Sequence, residues 1–365
     1  MRTSYLDRET SDAIKGIVLV FMFIHHFFTF PEWYVDGISY PELSLFVRAF
    51  CWPLKICVSV FAFLTGYFYF FGKQQSFRYS LRKITDIFLS YWAVSIPLMI
   101  LAMGLGYYRF DLSDFARELL ALDDKVMIFC WYVTFYCVSM LLMPVAAKIS
   151  TNSLGTDIVL LLIMPVAAFT GLRGILEYEL QIENNVLNEI LANQSDWFPC
   201  IISGFLCAKY SVFETFLDTF SEKLRSKYAQ IFAWLLMAGT AFVGRAIWPR
   251  FALGSIQVAG EWLELTFNMD IFYAPLFVYG AAKLWQFLKG SILSKTLGHL
   301  GKQSLLMWFL HCVFFNVCKE TTQPVLYALK NPLLVLLFGL SLCYALAVLI
   351  DGLIKPVRKY KNKDL

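Results

Sequence analysis

The chain has 365 residues, of which 59% are hydrophobic, 18% aromatic and only 16% charged. Soluble domains carry charge on about a quarter of their residues, so this composition excludes an ordinary soluble protein. The net charge of +4 gains meaning only when the charges are assigned to the two sides of a membrane.

The apolar residues come in blocks close to the length that crosses a bilayer, which predicts an all-α polytopic integral membrane protein. We expect a bundle of about ten transmembrane helices that forms a single domain over residues 1–365. The predicted spans are 13–30, 53–71, 84–103, 126–146, 156–172, 197–209, 230–248, 267–285, 303–318 and 332–354.

Basic residues are concentrated in alternate loops. They follow spans 2, 6 and 8 and fill the C-terminal tail: Lys73, Arg78, Arg82, Lys83; Lys209, Lys223, Arg225, Lys227; Lys283, Lys289, Lys295; Lys355, Arg358, Lys359, Lys361, Lys363. The opposite loops are acidic or mixed. Because cytoplasmic loops are richer in Lys and Arg, this pattern predicts that both termini are cytoplasmic. We expect the membrane to be the cytoplasmic (inner) membrane.

The polar stretch before the sixth span contains a further helical pattern. Residues 180–191 place apolar side chains at helical spacing. This spacing predicts an amphipathic helix that lies on the outer surface or covers the bundle.

Two ionisable residues lie in the first predicted span. Lys15 and His26 are eleven residues apart, which is about three helical turns and roughly 16 Å, so they share nearly the same face. Because ionisable groups cost free energy in hydrocarbon, this pair suggests a surface cation aligned with a deep proton-transfer group. The alternative is a snorkelling lysine and a structural histidine.

A second histidine, His311, lies about nine residues into the ninth predicted span. His26 lies about a dozen residues into the first, and both helices are predicted to run from inside to outside. The two imidazoles therefore reach similar depths, which favours a functional pair over two separate packing residues.

Charged residues at the predicted cytoplasmic helix ends are candidate anion-binding groups. They are Lys15, Arg82, Lys83 and Lys302. They contact either anionic lipid headgroups under the positive-inside rule or the phosphates of an anionic cofactor.

On the predicted outer side, Arg245 and Asp270 lie near the ends of spans 7 and 8. They either pair with each other or hold a polar substrate. In the second case aromatic residues nearby would stack on that substrate, namely Trp33, Tyr34, Trp248 and Trp262.

The chain lacks the sequence motifs of several classes of enzymes and transporters. The chain has no P-loop, Rossmann fingerprint, GxSxG elbow or HExxH, which argues against an ATP-driven pump. Its nine cysteines show no metal-ligand spacing, so we expect packing residues and no metal. Nothing in the sequence suggests nucleic-acid binding.

Five short patterns, in order, resemble the membrane acyltransferase-3 family, which is associated with O-acetylation of lipopolysaccharide, capsule, exopolysaccharide, peptidoglycan and small glycosides. They are Asp12-x-x-Lys15-Gly16 with His26; Val60 to Tyr67 with Thr65-Gly66; Trp131-Tyr132-Val133 with Pro144; Phe198-Pro199 to Ser203-Gly204; and Leu297-Gly298 with Ser304, Trp308 and His311. The resemblance covers roughly residues 10–350.

The chain departs from the family pattern at four places. Lys15 stands where Arg is frequent, Thr65 where Ser is usual, and Trp308 where Tyr is common. The Arg-x-x-Arg pattern appears only as Arg78-x-x-x-Arg82-Lys83.

The resemblance implies acyl-CoA, most often acetyl-CoA, as the donor substrate. Its phosphates would rest at Lys15, Arg82 and Lys83 and its thioester near His26. His26 would act as general base or transient acyl carrier, with His311 orienting it or sharing its proton.

The resemblance also implies that the acceptor is a hydroxyl of a cell-surface carbohydrate or its lipid-linked precursor, held near Arg245 and Asp270. The hydrolase-like extracytoplasmic domain of some members has no counterpart in these residues, so the chain would acylate its acceptor itself or pass the acyl group to a partner. Membrane lipids, a second copy of the chain and a cell-envelope biosynthesis protein are the other expected partners.

Two other functions remain open at this stage. A transporter or flippase for a lipid-linked glycan or an anionic metabolite would also need intramembrane charges, although no inverted repeat is visible. A glycan polymerase or ligase should have large outer loops rich in Arg, whereas several loops here are acidic.

Overall fold

The computed structural model describes residues 5–38, 43, 45–72, 75–182, 185–258, 260–316 and 318–361. Its helices are α1 (Arg8–Phe28), α2 (Leu45–Cys51), α3 (Ile56–Phe70), α4 (Phe77–Gly104), α5 (Leu112–Leu119), α6 (Trp131–Ile149), α7 (Leu154–Ile158), α8 (Met164–Gly174), α9 (Asn185–Lys209), α10 (Thr219–Glu222), α11 (Lys227–Ile247), α12 (Asp270–Leu288), α13 (Ile292–Lys302), α14 (Ser304–His311), α15 (Lys319–Tyr327) and α16 (Pro332–Lys361). The strands are β1 (Arg250–Val258) and β2 (Glu261–Asn268).

Shorter helical segments join some of these elements. The 3-10 turns are Pro31–Trp33, Trp52–Lys55 and Cys312–Phe314. The π-helical turns are Val159–Ile163, Ile175–Glu179 and Phe213–Asp218. Residues 154–179 are therefore helical without a break.

Seven helical segments within the described ranges are long and apolar enough to cross a membrane. They are Arg8–Phe28, Val47–Phe70, Phe77–Gly104, Trp131–Ile149, Leu154–Glu179, Lys227–Ile247 and Pro332–Arg358. The other three predicted spans overlap α9, α12 and the short apolar helix Ser304–Phe314. The predicted all-α polytopic fold is confirmed, while the span bounds and the single-domain division stay predictions.

An antiparallel hairpin between α11 and α12 is not among the predicted elements. It pairs β1 with β2 from Arg250 opposite Asn268 to Val258 opposite Glu261. Residues 267 and 268 of the predicted eighth span belong to β2, and α12 begins at Asp270. Asn268 lies at this boundary, where its side-chain oxygen accepts the Asp270 N–H at 3.0 Å.

The predicted amphipathic helix over residues 180–191 is not a separate element. Residues 180–182 are not helical, and residues 183 and 184 lie outside the described part of the chain. From Asn185 the helix continues through the sixth predicted span to Lys209. Leu187, in its first turn, is exposed, whereas Leu191 and Trp197 are buried, so the helix enters the packed bundle only after this first turn.

Glycine pairs determine how closely the site-bearing helices approach. A Cβ atom added to Gly16 would lie 2.0 Å from the Leu297 carbonyl oxygen, and one added to Gly301 would lie 1.6 Å from the Asp12 carbonyl oxygen. The backbones of α1 and α13 thus touch where both helices lack a side chain. Lys15, beside Gly16, and Lys302, beside Gly301, line the same cavity near this crossing.

A second crossing of this kind joins α3 to α9. A Cβ atom on Gly66 would lie 1.7 Å from the Ile201 carbonyl oxygen, and one on Gly204 would lie 2.0 Å from the Phe63 carbonyl oxygen. Gly66 and Gly204 come from two of the five sequence patterns. Their role in this structure is close helix packing.

Candidate active site

Two cavities enter the bundle from opposite ends of α1. The lower cavity, of about 670 Å³, contains Lys15 near the start of the helix. The upper cavity, of about 470 Å³, contains His25 and His26 near its end. Lys15 and His26 thus lie in different cavities on one helix, and the depth of each residue in the membrane stays a prediction.

Trp308 separates the two cavities. Among the described residues it is the one that lines both. Its indole stacks on the Tyr132 ring, with the centroids 4.7 Å apart, and meets the Phe61 ring edge-on at 5.4 Å. Because only 4% of Trp308 is exposed, these packed rings form a wall between the lower and upper cavities.

The two predicted histidines meet directly. His26 Nδ1 lies 2.7 Å from His311 Nε2, and His311 Nδ1 is hydrogen-bonded to the Trp308 carbonyl oxygen. A carbonyl only accepts, so His311 Nδ1 carries the hydrogen and the neutral His311 ring must accept at Nε2. His26 therefore donates from Nδ1, which leaves its Nε2 lone pair available as a base.

The exposure of the two rings agrees with these roles. His311 is fully buried, whereas His26 is partly exposed and lines the upper cavity. His311 is thus placed to orient His26 and not to reach a substrate itself. A base that is oriented by a second buried group is the arrangement of many enzymes that activate a hydroxyl.

Phe129 covers both imidazoles. Its ring lies 4.2 Å from the His26 ring at an angle of 6°, and 5.0 Å from the His311 ring at 2°. A ring face in this position stabilises an imidazolium by a cation–π interaction. The sequence carries no local signal for this role, because Phe129 lies in the connection before α6 and reaches the histidines only through the tertiary fold.

Glu118, near the end of α5, holds the segment that leads to Phe129 in place. Its Oε1 accepts the Val126 N–H at 2.7 Å, and its own carbonyl accepts the Tyr91 hydroxyl at 2.8 Å. Burial, together with the neighbouring Asp123 and Asp124, raises the pKa of the Glu118 carboxyl from 4.5 to about 7.

The rest of the upper cavity is aromatic, with a few charges. Besides Trp308 it is lined by four tryptophans, Trp33, Trp52, Trp131 and Trp197, together with Glu189, Asn193 and Asp196. Lys55 also lines it, with Nζ 5.7 Å from the centre of the Trp197 ring. None of Lys55, Glu189 or Asp196 is a sequence candidate, because they come from segments that only the fold brings together.

The lower cavity is rich in cations. It is lined by Arg8, Lys15, Lys83, Lys302 and Arg358, against two carboxylates, Asp12 and Asp86. Lys15 is partly neutralised, since its Nζ lies 3.5 Å from Asp12 Oδ1. An excess of cations around such a cavity suits a ligand with several negative charges.

Not every predicted cation faces this cavity. Lys15 and Lys83 line it, but Arg82, the residue before Lys83 on α4, does not. Arg358 also lines the cavity, although the sequence identifies it only as a basic residue of the C-terminal tail. It donates a hydrogen bond to Ser90 Oγ at 2.6 Å. Since Arg8 and Arg358 line the same cavity, α1 starts and α16 ends at the same face.

Arg245 and Asp270 form an ion pair with each other. Asp270 is fully buried and also accepts a hydrogen bond from the Ser59 hydroxyl. Neither Arg245 nor Asp270 lines the upper cavity. The structure therefore shows the first of the two predicted arrangements, and a role of these residues in substrate binding stays a prediction.

A cationic cavity and an aromatic cavity therefore meet at the Trp308 wall, and His26 lines the aromatic cavity. A family model described as an acyltransferase domain matches residues 8–352, nearly the whole chain. The chain belongs to the acyltransferase-3 family, and with its apolar helices it is a membrane acyltransferase. No curated protein and no solved structure matches the chain.

Proposed function

We propose that the protein transfers an acyl group, in the simplest case acetyl, from acyl-CoA to a hydroxyl of a cell-surface carbohydrate or its lipid-linked precursor. The observation that carries this proposal is the chain from the Trp308 carbonyl through His311 to His26. It leaves a base at the edge of the upper cavity, beside the wall of the cationic cavity. The family match favours this function over a transporter.

The lower cavity supports a CoA ester as donor. CoA carries several phosphate charges at one end and a flexible arm with the thioester at the other. The phosphates would bind among Lys15, Lys83, Lys302 and Arg358, which line the lower cavity. The arm would extend along α1, over roughly 16 Å, to bring the thioester towards His26.

His26 would then act as general base. Its Nε2 takes the proton of the acceptor hydroxyl while the hydroxyl oxygen bonds to the thioester carbonyl carbon. The carbon–sulfur bond breaks, and His26 returns the proton to the thiolate, which leaves free CoA and an ester. A transient acyl-histidine would use the same Nε2 atom, so the hydrogen bond to His311 serves either route.

The upper cavity supports a sugar as acceptor. Sugars present apolar faces that stack on aromatic rings and hydroxyls that bond to carboxylates and amides. The tryptophans supply the first kind of contact, and Glu189, Asn193 and Asp196 the second. The lower cavity would open to the cytoplasm, where acyl-CoA is made, and the upper cavity to the outside.

The test uses the full-length protein in lipid nanodiscs with radiolabelled acetyl-CoA and a surface-glycan extract. We expect His26→Ala to lower the transfer rate by about 10²- to 10⁴-fold, the contribution of general acid–base catalysis, with an unchanged Kd for CoA. His299→Ala is the matched control, because His299 is exposed and lines neither cavity. A His26→Ala variant as active as the wild type would contradict the proposal.

A second variant, Lys15→Ala, tests the proposed binding site for the CoA phosphates. Since Lys15 lines the lower cavity, this change should weaken CoA binding and raise KM, with a smaller effect on kcat. Exposed Lys223 is the matched control, as Lys223→Ala. An unchanged Kd for CoA in Lys15→Ala would argue against the proposed donor site.

A further inference from the structure

The wall between the cavities rests on one side chain. Trp308 is the residue that the linings of the lower and upper cavities share within the described chain. Any group that passes from the lower cavity to His26 has to pass this indole. The indole is held by its ring contacts with Tyr132 and Phe61, and a ring contact can be exchanged for another apolar contact at small cost.

The Trp308 indole also carries an unused donor. Its Nε1–H is buried and has no hydrogen-bond partner among the described residues. A buried donor without an acceptor is costly, about 1–3 kcal/mol, so such groups call for an explanation. The Nε1–H of Trp285 is also buried without a partner among the described residues, but Trp285 lines neither cavity. Trp308 lies between the two cavities, where a ligand would pass.

We propose that Trp308 is the gate for the acyl donor and that its indole N–H binds the thioester carbonyl oxygen. This inference rests on the proposed function. The indole would turn away from Tyr132 as the arm of the donor enters, and the arm would take its place. As the acceptor hydroxyl attacks, negative charge develops on the carbonyl oxygen, and the Nε1–H donates to it. Trp308 transfers no proton, and both electrons of the broken carbon–sulfur bond leave with sulfur.

Two consequences distinguish this role from simple packing. Loss of the N–H should slow the chemical step without weakening binding at the lower cavity, because the stabilised charge exists only in the transition state. Loss of the ring should open the wall, admit longer acyl groups and let water reach the thioester.

The test compares Trp308→Phe, Trp308→Tyr and Trp308→Ala in the full-length protein in nanodiscs. We expect Trp308→Phe to lower kcat by about 10²-fold, the usual effect of losing one such donor, with an unchanged Kd for CoA. Trp308→Tyr should recover part of this loss, since its hydroxyl can donate. Trp285→Phe is the matched control and should keep the wild-type kcat.

Trp308→Ala reports on the gate. We expect acetyl-CoA hydrolysis without acceptor to rise at least about tenfold, and butanoyl-CoA to become a better substrate relative to acetyl-CoA by about 10- to 200-fold, the range for changes of pocket size. If the alanine variant does not fold, the Trp308→Phe and Trp285→Phe pair still decides the donor role.

The outcomes separate this inference from the proposed function. A wild-type kcat in Trp308→Phe would overturn the donor role, and unchanged hydrolysis and chain-length preference in folded Trp308→Ala would overturn the gate. In both cases the proposed function stands as long as His26→Ala is inactive. A wild-type protein without acyl transfer overturns both.

Discussion

The Nδ1 atom of His26 lies 2.7 Å from the Nε2 atom of His311, 285 positions further along the chain. The two residues belong to α1 and α14, and the Trp308 carbonyl fixes the hydrogen on the far side of His311. On the proposed function, this relationship gives His311 the role of orienting the ring and leaves the reactive nitrogen to His26.

We expect removal of the acceptor on His311 to slow transfer. His311→Leu leaves the His26 Nδ1–H without a partner and its tautomer unfixed, so kcat should fall by roughly 10²-fold, in the range for groups that orient a base. His311→Gln, whose amide oxygen can accept, should recover part of the rate. Equal rates for the Leu and Gln variants would show that the hydrogen bond has no catalytic role.

We expect Phe129 to contribute through its ring face. Phe129→Leu keeps an apolar side chain over His26 but removes the cation–π contact with the imidazolium, worth about 0.5–2 kcal/mol. The corresponding loss in kcat is about 2- to 30-fold. The control is Phe110→Leu, since Phe110 is exposed and packs on Phe115. A wild-type kcat in Phe129→Leu would remove this role.

We expect a methyl group at the crossing of α1 and α13 to destabilise the protein. Gly301→Ala places Cβ 1.6 Å from the Asp12 carbonyl oxygen, so the helices must separate, at a cost of about 1–3 kcal/mol. Gly298→Ala, on the same helix, meets nothing within 4 Å and should stabilise the helix slightly. Thermal unfolding in one detergent compares them, and equal melting temperatures would contradict the close crossing.

The pH dependence of stability should report on Glu118. Its pKa is raised from 4.5 to about 7 on folding, so the folded state binds this proton more tightly than the unfolded state does. Its contribution to stability is therefore greatest below pH 4.5 and is lost as the pH rises towards 7. Glu118→Gln should unfold at a higher temperature than the wild type at pH 8, with the difference shrinking at pH 5.

The control for this experiment is Glu264→Gln, because Glu264 is exposed on the hairpin. Its melting temperature should differ from that of the wild type by the same small amount at both pH values. A Glu118→Gln variant that shows no change in this difference between pH 5 and pH 8 would show that the buried carboxyl is not the source.

Local sequence could predict the helices from their apolar periodicity, and the histidine pair from the depth of each histidine within its own predicted span. Helical periodicity placed Lys15 below His26, and equal depth in two spans brought His26 to His311. Lys302 lines the same cavity as Lys15, near the crossing at Gly16 and Gly301, and no local pattern specifies that crossing.

Other features depend on contacts between distant segments. Phe129 and Lys55 lie in connections between helices, and the packing of the whole bundle determines where these connections run. Their residue types alone therefore did not predict that they line the upper cavity. Arg82 and Lys83 are neighbours in sequence, yet helical geometry turns only Lys83 into the lower cavity. The hairpin of β1 and β2 lies between two apolar helices. Its exposed aromatic residues are typical of the ends of a transmembrane span, so the sequence did not predict strands there.

The wall at Trp308 also bears on the membrane around the protein. A membrane that stores energy as an ion gradient cannot tolerate an open aqueous conduit, and two cavities that face each other end to end come close to one. The packed rings of Trp308, Tyr132 and Phe61 close the space between the two cavities. On the proposed function, an acyl group would pass this wall without opening a continuous aqueous path across the membrane.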